Sequence, residues 1–162
     1  MSNILIVDDD PTIRMMFARA LREKGEIDQA GNGAEALRLL GAKKYSVILL
    51  DLHMPVIDGF VILHTLATKP GPNKETPIYV ITADVSDQAR IRALRRHAVF
   101  FLTKPVPIAT LTALVDSTLR KSAQRAASSP REPGRETPTP PPPRPASTGQ
   151  PPFKLGTPLK KS

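Results

Sequence analysis

Cysteine is absent from this 162-residue chain, so neither a disulfide framework nor a thiolate metal site can belong to its chemistry. No apolar run approaches the ~20 residues that a membrane-spanning helix needs. The N-terminus, Met1-Ser2-Asn3-Ile4-Leu5-Ile6-Val7-Asp8, has no basic segment and only four apolar residues before an acid, which is not the build of a secretory signal. These absences make a soluble, cytoplasmic protein the expectation, with no membrane insertion. Internal repeats are absent as well. Acidic charge is scarce only towards the C-terminus, where the last 41 residues hold 7 Lys/Arg against 2 Asp/Glu, while residues 1 to 121 hold 16 against 13. The formal charge of +8 therefore comes mostly from a tail and does not mark the folded part as a nucleic-acid binder.

Proline divides the chain in the same place, with 7 of 18 in residues 1 to 121 and 11 in the remainder. Residues 123 to 162 are rich in Pro, Ser, Thr, Gly and Arg and poor in large apolar side chains, so they cannot offset their own ordering entropy. A disordered, basic, proline-rich tail is expected there, following a folded domain over residues 1 to 122. Within it, Pro140-Pro141-Pro142-Pro143-Arg144-Pro145 favours polyproline II. A plain extension is the simpler reading; a peptide ligand for a partner domain is the sharper one.

The folded part reads as strands alternating with helices. Ile4-Leu5-Ile6-Val7 leads into Asp8-Asp9, and Val47-Ile48-Leu49-Leu50 into Asp51. Ile78-Tyr79-Val80-Ile81 leads into Thr82, and Val99-Phe100-Phe101-Leu102-Thr103 into Lys104. Residues 26 to 30 make a weaker second strand. Asp10-Pro11 opens a first helix with Ile13, Met16, Phe17, Ala20 and Leu21 at helical spacing, closed by Lys24-Gly25. Asn32 caps a second helix that stops near Gly41. A third is expected from about residue 58 to 67, and a fourth from Ser86 or Asp87 to about Arg96. A fifth runs from Ile108 to about Gln124. Five strands alternating with five helices imply an α/β fold built on a parallel sheet with right-handed crossovers. Four apolar runs then deliver a polar group at one edge, where open sheets of this kind place their ligands.

Asp8, Asp9 and Asp51 would repel one another if all three were ionised there. A hard divalent cation resolves such a cluster, and an oxygen-rich, half-hydrated site suits Mg²⁺. Lys104 adds a compact positive charge, and Thr82 a hydroxyl able to bond a ligand oxygen. Carboxylate nucleophile, metal, ammonium and hydroxyl are the parts needed to accept a phosphoryl group.

Asp8-Asp9, Asp51 with Met54-Pro55 and Asp58-Gly59, Thr82-Ala83 and Lys104-Pro105, in this order and at these intervals, resemble the receiver domain of two-component response regulators. The resemblance covers residues 2 to about 122. It implies a flavodoxin-like, doubly wound, five-stranded parallel sheet of order 2-1-3-4-5 with five helices. It also implies that Asp51 is the phosphoacceptor, served by a histidine kinase or phosphotransfer protein. Asp8, Asp9, Asp51 and the backbone carbonyl of His53 would hold Mg²⁺, and Lys104 would contact the phosphoryl group. Thr82 and Phe101 would form the switch, with a cis Lys104-Pro105 peptide beside them. Such a protein is not an enzyme beyond its own phosphorylation and dephosphorylation. It would act as a stand-alone, chemotaxis-type regulator that presents its fourth helix and fifth strand to a downstream target protein. Homodimerisation is left open.

Where the family usually shows Gly-Ala and two polar residues before the fifth strand, this chain has His97-Ala98-Val99-Phe100, a more apolar approach to the output face. His53 and Asp84 occupy variable positions beside the phosphoryl group, where they could tune hydrolysis; His64 carries no such pattern. Arg90, Arg92, Arg95 and Arg96 crowd the fourth helix. A solvated basic face is the plain reading, and an anion-binding surface for an acidic partner or a nucleotide messenger is the alternative. A third reading makes the proline-rich tail the working element of an adaptor.

Overall fold

In a computed structural model that describes residues 1–94 and 98–128, five parallel strands form one sheet in the order β2-β1-β3-β4-β5. In chain order the elements are β1 (Asn3–Val7), α1 (Pro11–Leu21), β2 (Glu26–Ala30), α2 (Gly33–Ala42) and β3 (Val47–Leu50). Then come α3 (Gly59–Thr68), β4 (Ile78–Thr82), α4 (Asp87–Leu94), β5 (Ala98–Thr103) and α5 (Ile108–Ser128). This is the expected doubly wound, flavodoxin-like topology.

Strands buried on both faces need apolar residues at every position, and β3 (Val-Ile-Leu-Leu) is buried throughout. Alternation along β1 and β3 then divides the core in two. Leu5, Val7, Ile48 and Leu50 face α2, α3 and α4 through Ala36, Leu40, Phe60, Leu63, Ala89 and Ala93. Ile4, Ile6, Val47 and Leu49 face α1 and α5 through Phe17, Leu21, Leu111 and Val115. Side-chain oxygens cap the helices. Asp10 accepts from the Thr12 amide at 2.8 Å, Asn32 from Glu35 at 2.8 Å, Asp58 from Val61 at 3.0 Å and Ser86 from Ala89 at 3.3 Å.

The apolar stripe of α1 is narrower than its sequence suggests. Ile13, Phe17 and Leu21, each four residues on, point to the core, whereas Met16 stays 43% exposed. α5 runs to Ser128, four residues beyond the expected end near Gln124. Arg95, Arg96, His97 and the 129–162 segment, including the 140–145 proline run, lie outside the described residues. Among the described residues no helix is long and apolar enough to cross a membrane.

The connection between α3 and β4, read from its prolines and glycine only as a loop, holds a buried polar hub. The Asn73 amide nitrogen donates to the Leu40 and Lys43 carbonyls, each at 2.7 Å, and its oxygen accepts from the Tyr45 amide at 2.8 Å. The Thr76 hydroxyl lies 3.0 Å from the same oxygen. One side chain thus satisfies the end of α2 and the approach to β3, backbone groups that would otherwise be costly to bury. This hub secures the end of the sheet opposite the acidic cluster.

Candidate functional site

Three of the strands that feed the acidic edge, β1, β3 and β5, are each held by a backbone hydrogen bond just past their ends. The Asp8 amide donates to the Ala30 carbonyl at 3.2 Å, Asp51 to Val7 at 2.9 Å and Lys104 to Thr82 at 2.9 Å. The sheet's own ladder therefore sets the positions of Asp8, Asp51 and Lys104. Carboxylate oxygens of Asp8, Asp9 and Asp51 come within 4.8 Å of one another. Asp8 and Asp51 are only 2% and 5% exposed, while Asp9 opens to solvent. The Lys104 ammonium donates to Asp8 Oδ2 at 2.5 Å and to Asp51 Oδ2 at 3.2 Å. Asp8 Oδ1 accepts from the Asp10 amide at 2.9 Å and Asp51 Oδ1 from the His53 amide at 3.1 Å.

Three carboxylates cluster beside one ammonium, which bonds two of them, and the electrostatics follow from that excess. Burial pushes the Asp8 carboxyl above its ordinary value of 3.8; the charge of Asp51 adds to this, and the bonds from Lys104 and Asp10 only partly oppose it. Burial works against the charged Lys104 too, but its two carboxylate partners outweigh that and raise it above 10.5. A cluster of hard oxygen donors, two buried and one open to water, with more negative charge than its lysine can balance, fits Mg²⁺ in donor chemistry and in charge.

The loop after Asp51 is shaped by contact rather than by propensity. Val56 sits at φ 68°, and the Ile57 amide donates to the Pro55 carbonyl at 2.8 Å, a three-residue turn with a β-branched residue in the left-handed region. Gly59 then lets α3 abut the end of β3. Its amide donates to the Leu52 carbonyl at 2.9 Å, and a Cβ there would fall 2.4 Å from the Asp51 carbonyl oxygen and 2.8 Å from the Leu52 Cα. Both are backbone atoms, so the strain has no soft outlet. Gly59→Ala is expected to destabilise the protein by about 1–3 kcal/mol, read by denaturant unfolding. An unchanged midpoint would show that the loop gives way freely.

Thr82 is fully buried at the end of β4, and its hydroxyl accepts from the Asp84 amide at 3.3 Å. Asp84 also receives the Ser86 amide at 2.8 Å and lies 2.9 Å from His53 Nε2. The Ser86 amide, its hydroxyl and His53 together hold Asp84 below 3.8. A polar chain thus runs from Asp51 through His53 and Asp84 to Thr82 and the start of α4. Phe101 is partly buried against the core layer of α2 to α4, while Phe100, on the other face of β5, stacks on Tyr79 at 4.9 Å. The Lys104-Pro105 peptide is cis. The Arg92 guanidinium lies 3.8 Å over the Phe60 ring, a cation–π contact that ties α4 to α3. Arg92 nonetheless stays exposed, so the contact is compatible with a solvated basic face; helical spacing alone does not show what a long side chain reaches.

The structure therefore brings Asp8, Asp9, Asp51 and Lys104 into one cluster, with His53 bonded through its amide and Thr82 at the end of the next strand. Asp10, legible in the sequence only as a helix cap, also donates its amide to Asp8, and Arg14, which no motif singles out, donates to the Asp8 carbonyl at 2.6 Å.

Residues 4–116 match the response regulator receiver domain. The transcriptional regulatory protein PrrA of Mycobacterium tuberculosis is 35% identical over 127 residues, 78% of this chain and 53% of PrrA. The chain thus spans about half the length of the curated relatives it matches. The receiver domain of Francisella response regulator 1452 superposes with a TM-score of 0.68 at 30% identity, covering 75% of this chain and 99% of that one. A response regulator of Burkholderia pseudomallei, solved with a phosphorylated aspartic acid, a calcium ion and citrate, gives 0.64 at 27% identity over 78% and 74% of the two chains.

Proposed function

Because the chain belongs to the response regulator receiver domain family, we propose that Asp51 accepts a phosphoryl group from a phosphohistidine donor and that the domain works as a phosphorylation-controlled switch. The observation that carries this reading is the nearly buried Asp51 carboxylate, set among Asp8, Asp9 and Lys104 at the mouth of β3. The phosphorylated aspartate of the Burkholderia protein supports it by likeness.

In the proposed step an Asp51 oxygen attacks phosphorus, a P–O bond forms and the P–N bond to the donor imidazole breaks, the ring nitrogen keeping the electron pair. Such transfer depends mainly on positioning and charge neutralisation. Lys104 supplies one positive charge beside both Asp8 and Asp51. Asp8, Asp9, Asp51 and the His53 carbonyl would hold Mg²⁺, which when bound neutralises charge on the phosphoryl oxygens. Thr82, once released from the Asp84 amide, turns its hydroxyl to the phosphoryl group. Phe101 follows it and alters the face around α4 and β5 that a target protein binds. The donor is a histidine kinase or phosphotransfer protein, the setting the cytoplasm. The chain catalyses at most its own phosphorylation and dephosphorylation.

The test is incubation of the full chain with Mg²⁺ and a small-molecule phosphodonor, read by intact mass. One phosphoryl group should be gained and then lost to hydroxylamine, as an acyl phosphate requires. No gain, or a hydroxylamine-stable one, would overturn the reading.

The contact between His53 and Asp84 spans the β3–α3 and β4–α4 loops beside the acceptor. It restricts the approach of water, so both His53→Ala and Asp84→Ala are expected to shorten the acyl-phosphate half-life roughly fivefold, about 1 kcal/mol of barrier. Decay of the isolated phosphoprotein measures this, and an unchanged half-life in both variants would remove the contact from the chemistry.

A further inference from the structure

The two carboxylates at the end of β1 are joined by a single peptide unit, and that unit is held from behind by a side chain six residues away. Arg14 Nη1 donates to the Asp8 carbonyl at 2.6 Å, a charge-assisted bond. The peptide is planar, and with the Asp8 amide held by Ala30 and the Asp10 amide by Asp8 Oδ1, fixing its plane restrains the backbone angles on both sides and with them the directions of the Asp8 and Asp9 Cα–Cβ bonds. The other polar groups of Asp8 are engaged elsewhere. Its amide meets Ala30, one carboxylate oxygen meets Asp10 and the other meets Lys104. The Arg14 bond is the one that holds the carbonyl of the unit linking Asp8 to Asp9 among the hydrogen bonds of the described residues.

The guanidinium is itself held in place. It lies in the notch between the β1–α1 turn and Gly31, where an added Cβ would stand 3.1 Å from Nη1 and 3.3 Å from Cζ. Resting on the reading of the acidic cluster as a Mg²⁺ site, we infer that Arg14 is the positioning residue that sets the Asp8 and Asp9 carboxylates for the metal.

Charge and position make opposite predictions here, which is what makes the assignment testable. As a nearby cation, Arg14 should weaken the binding of a dication, so its removal should tighten it. As a positioning residue it should strengthen binding, and removing a partner that orients metal ligands typically lowers affinity 10- to 100-fold.

Isothermal titration of the metal-free full chain with Mg²⁺ alone distinguishes them. Arg14→Met, which keeps length and packing but loses donor and charge, should bind about 10-fold more weakly. Arg14→Lys, which keeps the charge and a donor of nearly equal reach, should come back to within roughly 3-fold of wild type. Gly31→Ala leaves Arg14 intact and presses its guanidinium aside, and should weaken binding roughly 2- to 3-fold even if Arg14→Met does not fold. Equal or tighter binding by Arg14→Met, or unchanged binding by Gly31→Ala where Arg14→Met does not fold, would overturn the inference while leaving the Mg²⁺ site standing. A wild-type chain that takes up no Mg²⁺ would overturn both.

Discussion

Asp51→Asn is expected to abolish phosphoryl incorporation completely and, in the metal-free protein, to raise the thermal midpoint. The first effect follows from chemistry, since the amide oxygen is too poor a nucleophile to take the group. The second follows from charge. Asp51 is almost fully buried and its oxygens lie within 4.8 Å of those of Asp8 and Asp9. Neutralising it relieves two repulsions and weakens one attraction, that of Lys104 at 3.2 Å. Asparagine keeps the size but only one acceptor oxygen, so it can replace the bond from Lys104 or the bond from the His53 amide, which Asp51 accepts on different oxygens. The net gain is on the order of 1 kcal/mol at the effective dielectric of a protein surface. For a domain of this size that is a rise of roughly 3–5 °C in calorimetry. Persistent labelling of the variant would move the acceptor elsewhere. A lowered midpoint would mean that repulsion in the cluster is already quenched.

Lys104→Ala should act in the opposite direction. It leaves two carboxylates, 2% and 5% exposed, without their ammonium, and breaking a buried pair from one side typically costs about 3–5 kcal/mol. The loss should depend on pH with a definite sign. The folded Asp8 carboxyl already lies above 3.8, so its contribution to stability is full below 3.8 and is lost as pH rises through the folded value. Removing Lys104 raises that value further. The deficit against wild type should therefore be largest near pH 7 and shrink towards about pH 4. Mg²⁺ should repair much of it near neutrality, because a cation bound to the folded state stabilises it by mass action. Urea unfolding at the two pH values, with and without Mg²⁺, measures all three effects. A deficit that is independent of both would show that Lys104 stabilises by packing alone.

These two predictions rest on residues that the sequence announced, and others in the same site it left silent. Val47-Ile48-Leu49-Leu50, bounded by the turn signals Met54-Pro55 and Asp58-Gly59, reads as a buried strand, and the residue after it then emerges at the sheet edge, so local pattern suffices to place Asp51. The same holds for Asp8, Thr82 and Lys104, each terminal to its own apolar run. Helix caps at Asp10 and Asn32 are readable because a cap is a contact of two or three residues. Met16 was misjudged because spacing shows which residues could share a stripe, not how wide a stripe the sheet will cover. The contact of the exposed Arg92 with Phe60 is silent in the sequence because nothing in α4 tells of a ring some thirty residues earlier.

What the sequence determined by itself was the alternation of strands and helices, and with it the set of charged and hydroxyl groups delivered to one edge. Both are consequences of period and of chain order, which are local. What only the tertiary structure decided was how those groups are held: Lys104 shared between Asp8 and Asp51, His53 against Asp84, and Arg14 behind the peptide that joins Asp8 to Asp9. Asn73 at the far end of the sheet and Val56 at positive φ belong with them. Each is a polar contact or a strained turn that is worthwhile only once burial has removed water as the competing partner, and no pattern along the chain records which groups will be buried together.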